Sequence, residues 1–142
     1  MKVKSNSVAK TQKIAKDFAK NLKAGDIIAL FGELGTGKTV FVKGLAAALG
    51  VKAKITSPTF VLVKSYPVTL NKKNLTFYHL DLYRIEKNKD LESLGLAEIF
   101  SKDAIVVIEW ADRAKTLPKK TIKISIAKKS KNGRTIKIDR RG

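Results

Sequence analysis

The chain has 142 residues, 44% of them hydrophobic, which is enough for one domain, residues 1–142, with a packed core. It has no cysteine, which excludes disulfides and thiolate metal sites. Thirty basic residues against twelve acidic ones give a formal net charge of +18, which invites an anionic partner. Twenty-five of the thirty are lysine and five arginine. Arginine is the residue of bidentate phosphate contact, whereas lysine often only solvates a surface, so a polyanion-binding face and a generally lysine-rich composition both stand.

Ser5 or Ser7 is placed to cap a first helix. Val8, Ala15, Phe18 and Leu22 recur at helical spacing, with Lys10, Lys13, Lys16 and Lys20 largely opposite, and Lys23-Ala24-Gly25 closes it. Ile27–Phe31 is apolar throughout, as in a parallel strand covered on both faces. Residues 32–39 read G-E-L-G-T-G-K-T, a full match to the phosphate-loop pattern G-x-x-x-x-G-K-[ST]. A helix over residues 39–49 follows, burying Phe41, Val42, Leu45 and Leu49 and ending at Gly50. Residues 52–59 are irregular, because Pro58 pushes Ser57 towards an extended backbone.

Residues 60–66 and 75–80 read as the strands of an antiparallel hairpin, with Asn71-Lys72-Lys73-Asn74 as its polar turn. Residues 90–100 read as helical, with Leu91, Leu94 and Ile99 apolar and Gly95 interrupting. Residues 104–108 form a second fully apolar strand, ending in Glu109-Trp110, and Pro118 closes the next loop. Ile122, Ile124 and Ile126 alternate with polar residues, as do Ile136 and Ile138, and Asn132-Gly133 marks the turn between them. The expected fold is α/β: a single P-loop NTPase-like domain with a mixed β-sheet flanked by helices. The longest apolar runs are five residues, too short to cross a bilayer, and no apolar stretch follows Lys2 and Lys4. A cytoplasmic protein with no membrane partner is expected.

The phosphate loop carries the clearest chemistry. Its glycines let the backbone turn tightly around a chain of phosphates, and the following helix adds the positive end of its dipole. Lys38 is placed to reach the β- and γ-phosphates, and the Thr39 hydroxyl to sit on Mg²⁺. Glu109 ends an apolar strand at the edge where α/β sheets bind ligands. It is either a Mg²⁺ ligand, direct or through water, or a solvated acid. Asp81 either orients or deprotonates a water, contacts Mg²⁺ through water, or pairs with Arg84. Thr59 is a γ-phosphate sensor or the cap of a turn. Trp110, the only Trp, is a core residue, a site wall or a partner contact. His79, the only His, is expected to satisfy a hydrogen bond in the hairpin and not to take part in catalysis. No N-K-x-D follows, so ATP is favoured over GTP. With so few arginines the chain offers little for the lid of a small-molecule kinase.

Taken together, G-E-L-G-T-G-K-T, Ser57-Pro58-Thr59-Phe60, His79-Leu80-Asp81-Leu82-Tyr83-Arg84 and Ile108-Glu109-Trp110 resemble the TsaE (YjeE) family over nearly the whole chain. That family comprises bacterial ATPases of tRNA threonylcarbamoyladenosine biosynthesis. The resemblance implies weak Mg²⁺-dependent ATP hydrolysis in the service of two partners, TsaB and TsaD, which modify the tRNA adenosine next to the anticodon. It places Glu33, Leu34, Gly35, Thr36, Gly37 and Lys38 in the phosphate cradle, Thr39 and Glu109 on Mg²⁺, and Asp81 in hydrolysis. It puts Thr59 in a switch-like loop and Trp110 beside the nucleotide. Thr11 and Arg134 are the expected contacts at the adenine end. The strong positive charge departs from what a regulator of partner proteins would need. It leaves open direct contact with tRNA or compensation by acidic partners, and with them a different reading: a basic RNA-binding or assembly module whose nucleotide site is only structural. A small phosphotransferase is a third alternative.

Overall fold

The computed structural model describes residues 1–33, 35–52, 55, 63–83, 95–114 and 116–140. Its frame is a seven-stranded mixed sheet whose middle strand, β2 (Ile27–Phe31), carries the phosphate loop at its C-terminal end. β2 runs parallel to β5 (Ala104–Glu109) on one side and to β6 (Ile122–Lys128) on the other. Beyond β5 lies β4 (Lys73–Asp81), also parallel, and then β3 (Val63–Leu70), its antiparallel hairpin partner. Beyond β6 come β7 (Arg134–Asp139) and β1 (Lys2–Ser5), both antiparallel to their neighbours.

Alternation along the strands sorts the side chains into two cores. Ile28, Leu30, Ile105, Val107, Leu75 and Phe77 point to the face covered by α1 (Val8–Ala19) and α2 (Lys38–Ala48). Ile27, Ala29, Val106, Ile108 and Leu80 point to the other face, where Leu82, Ile99 of the one-turn helix Leu96–Ile99 and Ala111 cover them. β2 and β5 need apolar residues at every position because both of their faces are covered. On the helical side Phe18 meets Phe41 with ring centroids 6.1 Å apart. Gly44 sets the spacing of α1 and α2, since a Cβ there would lie 2.7 Å from both Ala15 Cβ and the Gln12 carbonyl.

Among the described residues, the other half of the sheet is covered on one side only. Ile122, Ile124, Ile126, Ile136 and Ile138 face the helices. Lys123, Ser125, Ala127 and Lys137, with Lys2 and Lys4 of β1, are exposed.

Several local expectations need correction. β1 was not foreseen: its four residues hold one apolar side chain, Val3, and only pairing of Val3 with Ile136 reveals it. Both hairpin strands reach further towards their turn than expected: β3 runs on through Pro67 to Leu70, which an edge strand tolerates, and β4 starts at Lys73. Its turn is only Asn71-Lys72, both with positive φ (52° and 65°), the backbone that matches the twist of a tight hairpin. α1 ends at Ala19, ahead of Lys23-Ala24-Gly25, and Val8 is 62% exposed, off the apolar face. Ser7 is its N-cap, accepting from the Lys10 amide at 3.0 Å. The expected strand start at 60–62 and helix start at 90–94 lie outside the described residues. Among the described residues, no helix is long and apolar enough to cross a membrane.

Candidate active site

Three chain segments converge where the parallel strands end. β2 delivers the phosphate loop, whose tight path needs glycine: Gly32, Gly35 and Gly37 have φ of 152°, 80° and 106°. At Gly32 a Cβ would also lie 2.7 Å from the Ile126 carbonyl and from Thr36 Oγ1. Thr36 is buried and its hydroxyl donates back to the Glu33 carbonyl at 2.9 Å, closing the loop on itself. α2 then starts directly at Lys38, with Gly37 as its N-cap.

Lys38 folds back over the loop. Its ammonium donates to the carbonyls of Gly32 and of Glu33, the latter at 3.2 Å, and lies 3.7 Å from the Trp110 ring centroid. Burial pushes its pKa below the ordinary lysine value, and the carboxylates of Glu109, Asp112, Asp81 and Glu33 work against that shift. Trp110 leaves β5 in a left-handed conformation (φ 57°), which turns its ring over Lys38 and against Tyr83, centroid to centroid 4.8 Å.

Asp81 and Glu109 are register partners at the ends of β4 and β5. Both lie on the face that β4 and β5 turn towards α2, by the same alternation that sends Phe77 and Val107 there. Asp81 is buried, and its Oδ1 accepts from the Tyr83 amide at 2.9 Å. Glu109 is 2% exposed and uses both carboxylate oxygens. Oε1 accepts from the Thr39 hydroxyl at 3.1 Å, and Oε2 is 2.5 Å from His79 Nε2. A carboxylate and a hydroxyl oxygen side by side suit Mg²⁺, which takes one or two protein oxygens and keeps water or phosphate oxygens for the rest.

Arg134, at the start of β7, braces the loop from the far side. Its Nε donates to the Thr36 carbonyl at 3.0 Å and one terminal nitrogen to the Gly35 carbonyl at 3.2 Å. The other terminal nitrogen reaches the carbonyls of Ser130, Lys131 and Gly133. A side chain expected at the adenine end is thus engaged with the backbone of the loop. Thr11 is buried on α1 with its hydroxyl 2.7 Å from Ser5 Oγ. Leu34, Thr59 and Arg84 lie outside the described residues.

The structure therefore brings Gly35, Thr36, Gly37, Lys38, Thr39, Asp81, Glu109, Trp110 and Arg134 to one end of the sheet. His79 is the residue that sequence reasoning misplaced. Its partner is Glu109 on the neighbouring strand, not a group of its own hairpin. Period two carries the signal, because a residue two before Asp81 on one strand shares its face.

Residues 5–136 match the family model described as threonylcarbamoyl adenosine biosynthesis protein TsaE. The chain belongs to the TsaE family. It is 37% identical over 139 residues to the tRNA threonylcarbamoyladenosine biosynthesis protein TsaE of Treponema pallidum, covering 97% of this chain and 99% of that one. It is 39% identical over 127 residues to the protein of that name from Bacillus subtilis, covering 89% and 77%. The crystal structure of YdiB from Bacillus subtilis superposes over the whole chain and 86% of its own length, with a TM-score of 0.78 and 34% identity. Membership thus rests on nearly the full length, not on the phosphate loop alone, and the single α/β domain is the fold that the YdiB structure shares.

Proposed function

We propose that this chain is the ATP-binding and ATP-hydrolysing subunit of a tRNA-modifying assembly. It acts with TsaB- and TsaD-like partners in threonylcarbamoylation of the adenosine next to the anticodon. The observation that carries the nucleotide part is the convergence of the Lys38 ammonium, the Thr39 hydroxyl and the Glu109 and Asp81 carboxylates at the mouth of the phosphate loop. The partner and pathway part is supported by the family and by the names of its members.

In this reading the loop from Glu33 to Thr39 holds the phosphates. Lys38 exchanges its bonds to the Gly32 and Glu33 carbonyls for bonds to phosphate oxygens. Thr39 and Glu109 would hold Mg²⁺, which when bound neutralises charge on those oxygens. Asp81 orients the water that attacks the γ-phosphorus; the bond from that phosphorus to the β–γ bridging oxygen breaks, and ADP and phosphate leave. Trp110 covers Lys38 and keeps bulk water from it. Thr59, in the segment that follows α2, responds to the γ-phosphate and conveys the nucleotide state to the partners. Thr11 and Leu34 belong to the nucleotide's surroundings.

The test is ATP turnover with and without the two partners and tRNA. Asp81→Ala should bind ATP within about threefold of the parent and turn it over at least about 100-fold more slowly. Equal rates for the two proteins with partners present would remove the catalytic assignment. The exposed row of Lys2, Lys4, Lys123 and Lys137 on the open sheet face favours a second reading, a basic RNA-binding module. Binding of unmodified tRNA that weakens steeply with salt, and is indifferent to ATP and to Lys38→Ala, would select it.

A further inference from the structure

His79 is fully buried, yet it is a poor residue for burial alone. Its Nε2 meets Glu109, while its Nδ1 is buried without a hydrogen-bond partner among the described residues. Its register neighbours across the strands are Val107 of β5 and Lys64 of β3, with Phe77 two residues before it on the same face. An apolar side chain would fill the position without an unpaired nitrogen, but it would leave the buried Glu109 Oε2 without its donor. Apolar burial by itself therefore does not explain the imidazole.

Its geometry does. Glu109 has three side-chain torsions and ends its strand, so nothing in the backbone fixes where its carboxylate points. Two donors fix it from opposite sides: Thr39 on Oε1 and His79 on Oε2. Because a carboxylate only accepts, Nε2 is the donor in this pair. The two donors differ in one respect. The Thr39 hydroxyl would offer its oxygen to a cation as well as its proton to Oε1, whereas Nε2 of His79 serves the carboxylate alone. His79 sits inside a paired strand, so this anchor is part of the rigid scaffold rather than the loop.

We infer that His79 is a positioning residue: through Nε2 it holds the Glu109 carboxylate in the orientation that receives the divalent cation beside the phosphates. The inference rests on the reading of Thr39 and Glu109 as the metal side of a nucleotide site. It predicts a specific division of labour. Loss of the Nε2 donor weakens the cation and leaves the phosphate loop untouched.

The experiment measures ADP binding by fluorescence, first in EDTA and then at rising Mg²⁺, for the parent and for His79→Gln, His79→Asn and His79→Leu. Gln places a nitrogen donor at about the reach of Nε2, whereas Asn is one bond shorter. All four proteins should bind ADP in EDTA within about twofold, and the Mg²⁺ midpoint should rise about 10- to 100-fold in His79→Asn and His79→Leu. His79→Gln should stay within about threefold of the parent. If His79→Leu does not fold, the Asn and Gln pair decides, since both are polar and differ only in reach. An Asn variant with the parental Mg²⁺ midpoint overturns the inference, and so does equal loss of ADP in EDTA by all variants. A parent that binds ADP with no dependence on Mg²⁺ overturns the inference together with the metal assignment. A parent that binds no ADP overturns the nucleotide reading itself.

Discussion

In β2 and β5 nearly every side chain is buried, whereas in β6 and β7 about every second one faces solvent. The two halves belong to one sheet and share one helical layer, so the difference lies in their second face. On the parallel half that face is closed by Leu82, Ile99 and Ala111. The strand ends there stand in a dry, fixed frame, and the acids they deliver, Asp81 and Glu109, are buried where they can be aimed. On the antiparallel half the second face is a row of lysines and small residues. That half supplies Arg134 as a brace for the phosphate loop and otherwise presents charge to the surroundings. The proposed chemistry belongs to the half with two covers and solvation to the half with one.

The contrast is easiest to break at binding. Lys38→Ala should weaken ATP by more than about 100-fold, because the amine lies inside the loop. Lys123→Ala and Lys137→Ala, on the open face, should leave ATP affinity within about twofold. A loss of ATP binding from either open-face variant, read by fluorescence titration, would show that the halves are not separate in function. Stability sharpens the same line within one strand. Ile124→Ala removes a fully buried side chain from β6 and should cost about 2–5 kcal/mol in denaturant unfolding. Lys123→Ala, one residue away on the other face, should change stability by less than about 0.5 kcal/mol.

Much of this division can be read from the sequence, for identifiable reasons. β2, the residue 104–108 strand and the phosphate loop declare themselves because a strand covered twice must be apolar at every position, and because the loop fixes four residues in eight. The lysine row on β6 and β7 is likewise legible as alternation. β1 was not, since four residues with one apolar side chain carry too little pattern. The hairpin register was not either, because Pro67 reads as a breaker until the strand is known to be at an edge. In the site, Lys38, Thr39, Asp81 and Glu109 follow from motif and strand position. The contacts of His79 and Arg134 do not, because each is made with a partner 30 or nearly 100 residues away.

The smallest effect concerns the pH dependence of stability. The Lys38 amine has a folded pKa below its value of 10.5 in the unfolded chain, owing mainly to burial. Between those two values the unfolded chain binds more protons, so stability should rise as pH climbs through that window. Below it the charged amine opposes folding. Lys38→Met should therefore flatten the rise that ends near pH 10.5 and make the nucleotide-free protein somewhat more stable at neutral pH. Urea unfolding of both proteins across that range checks the sign. A less stable variant at neutral pH would mean that the amine's bonds to the loop carbonyls outweigh its burial.

The claim that joins these results is that the rim of the doubly covered half receives ATP together with a divalent cation. Calorimetric titration of ATP into the parent protein, once with Mg²⁺ and once with EDTA, addresses it directly. The account predicts one ATP per chain, bound more tightly with Mg²⁺ by about tenfold or more. Absence of binding under both conditions, or binding of equal strength in Mg²⁺ and EDTA, would contradict it.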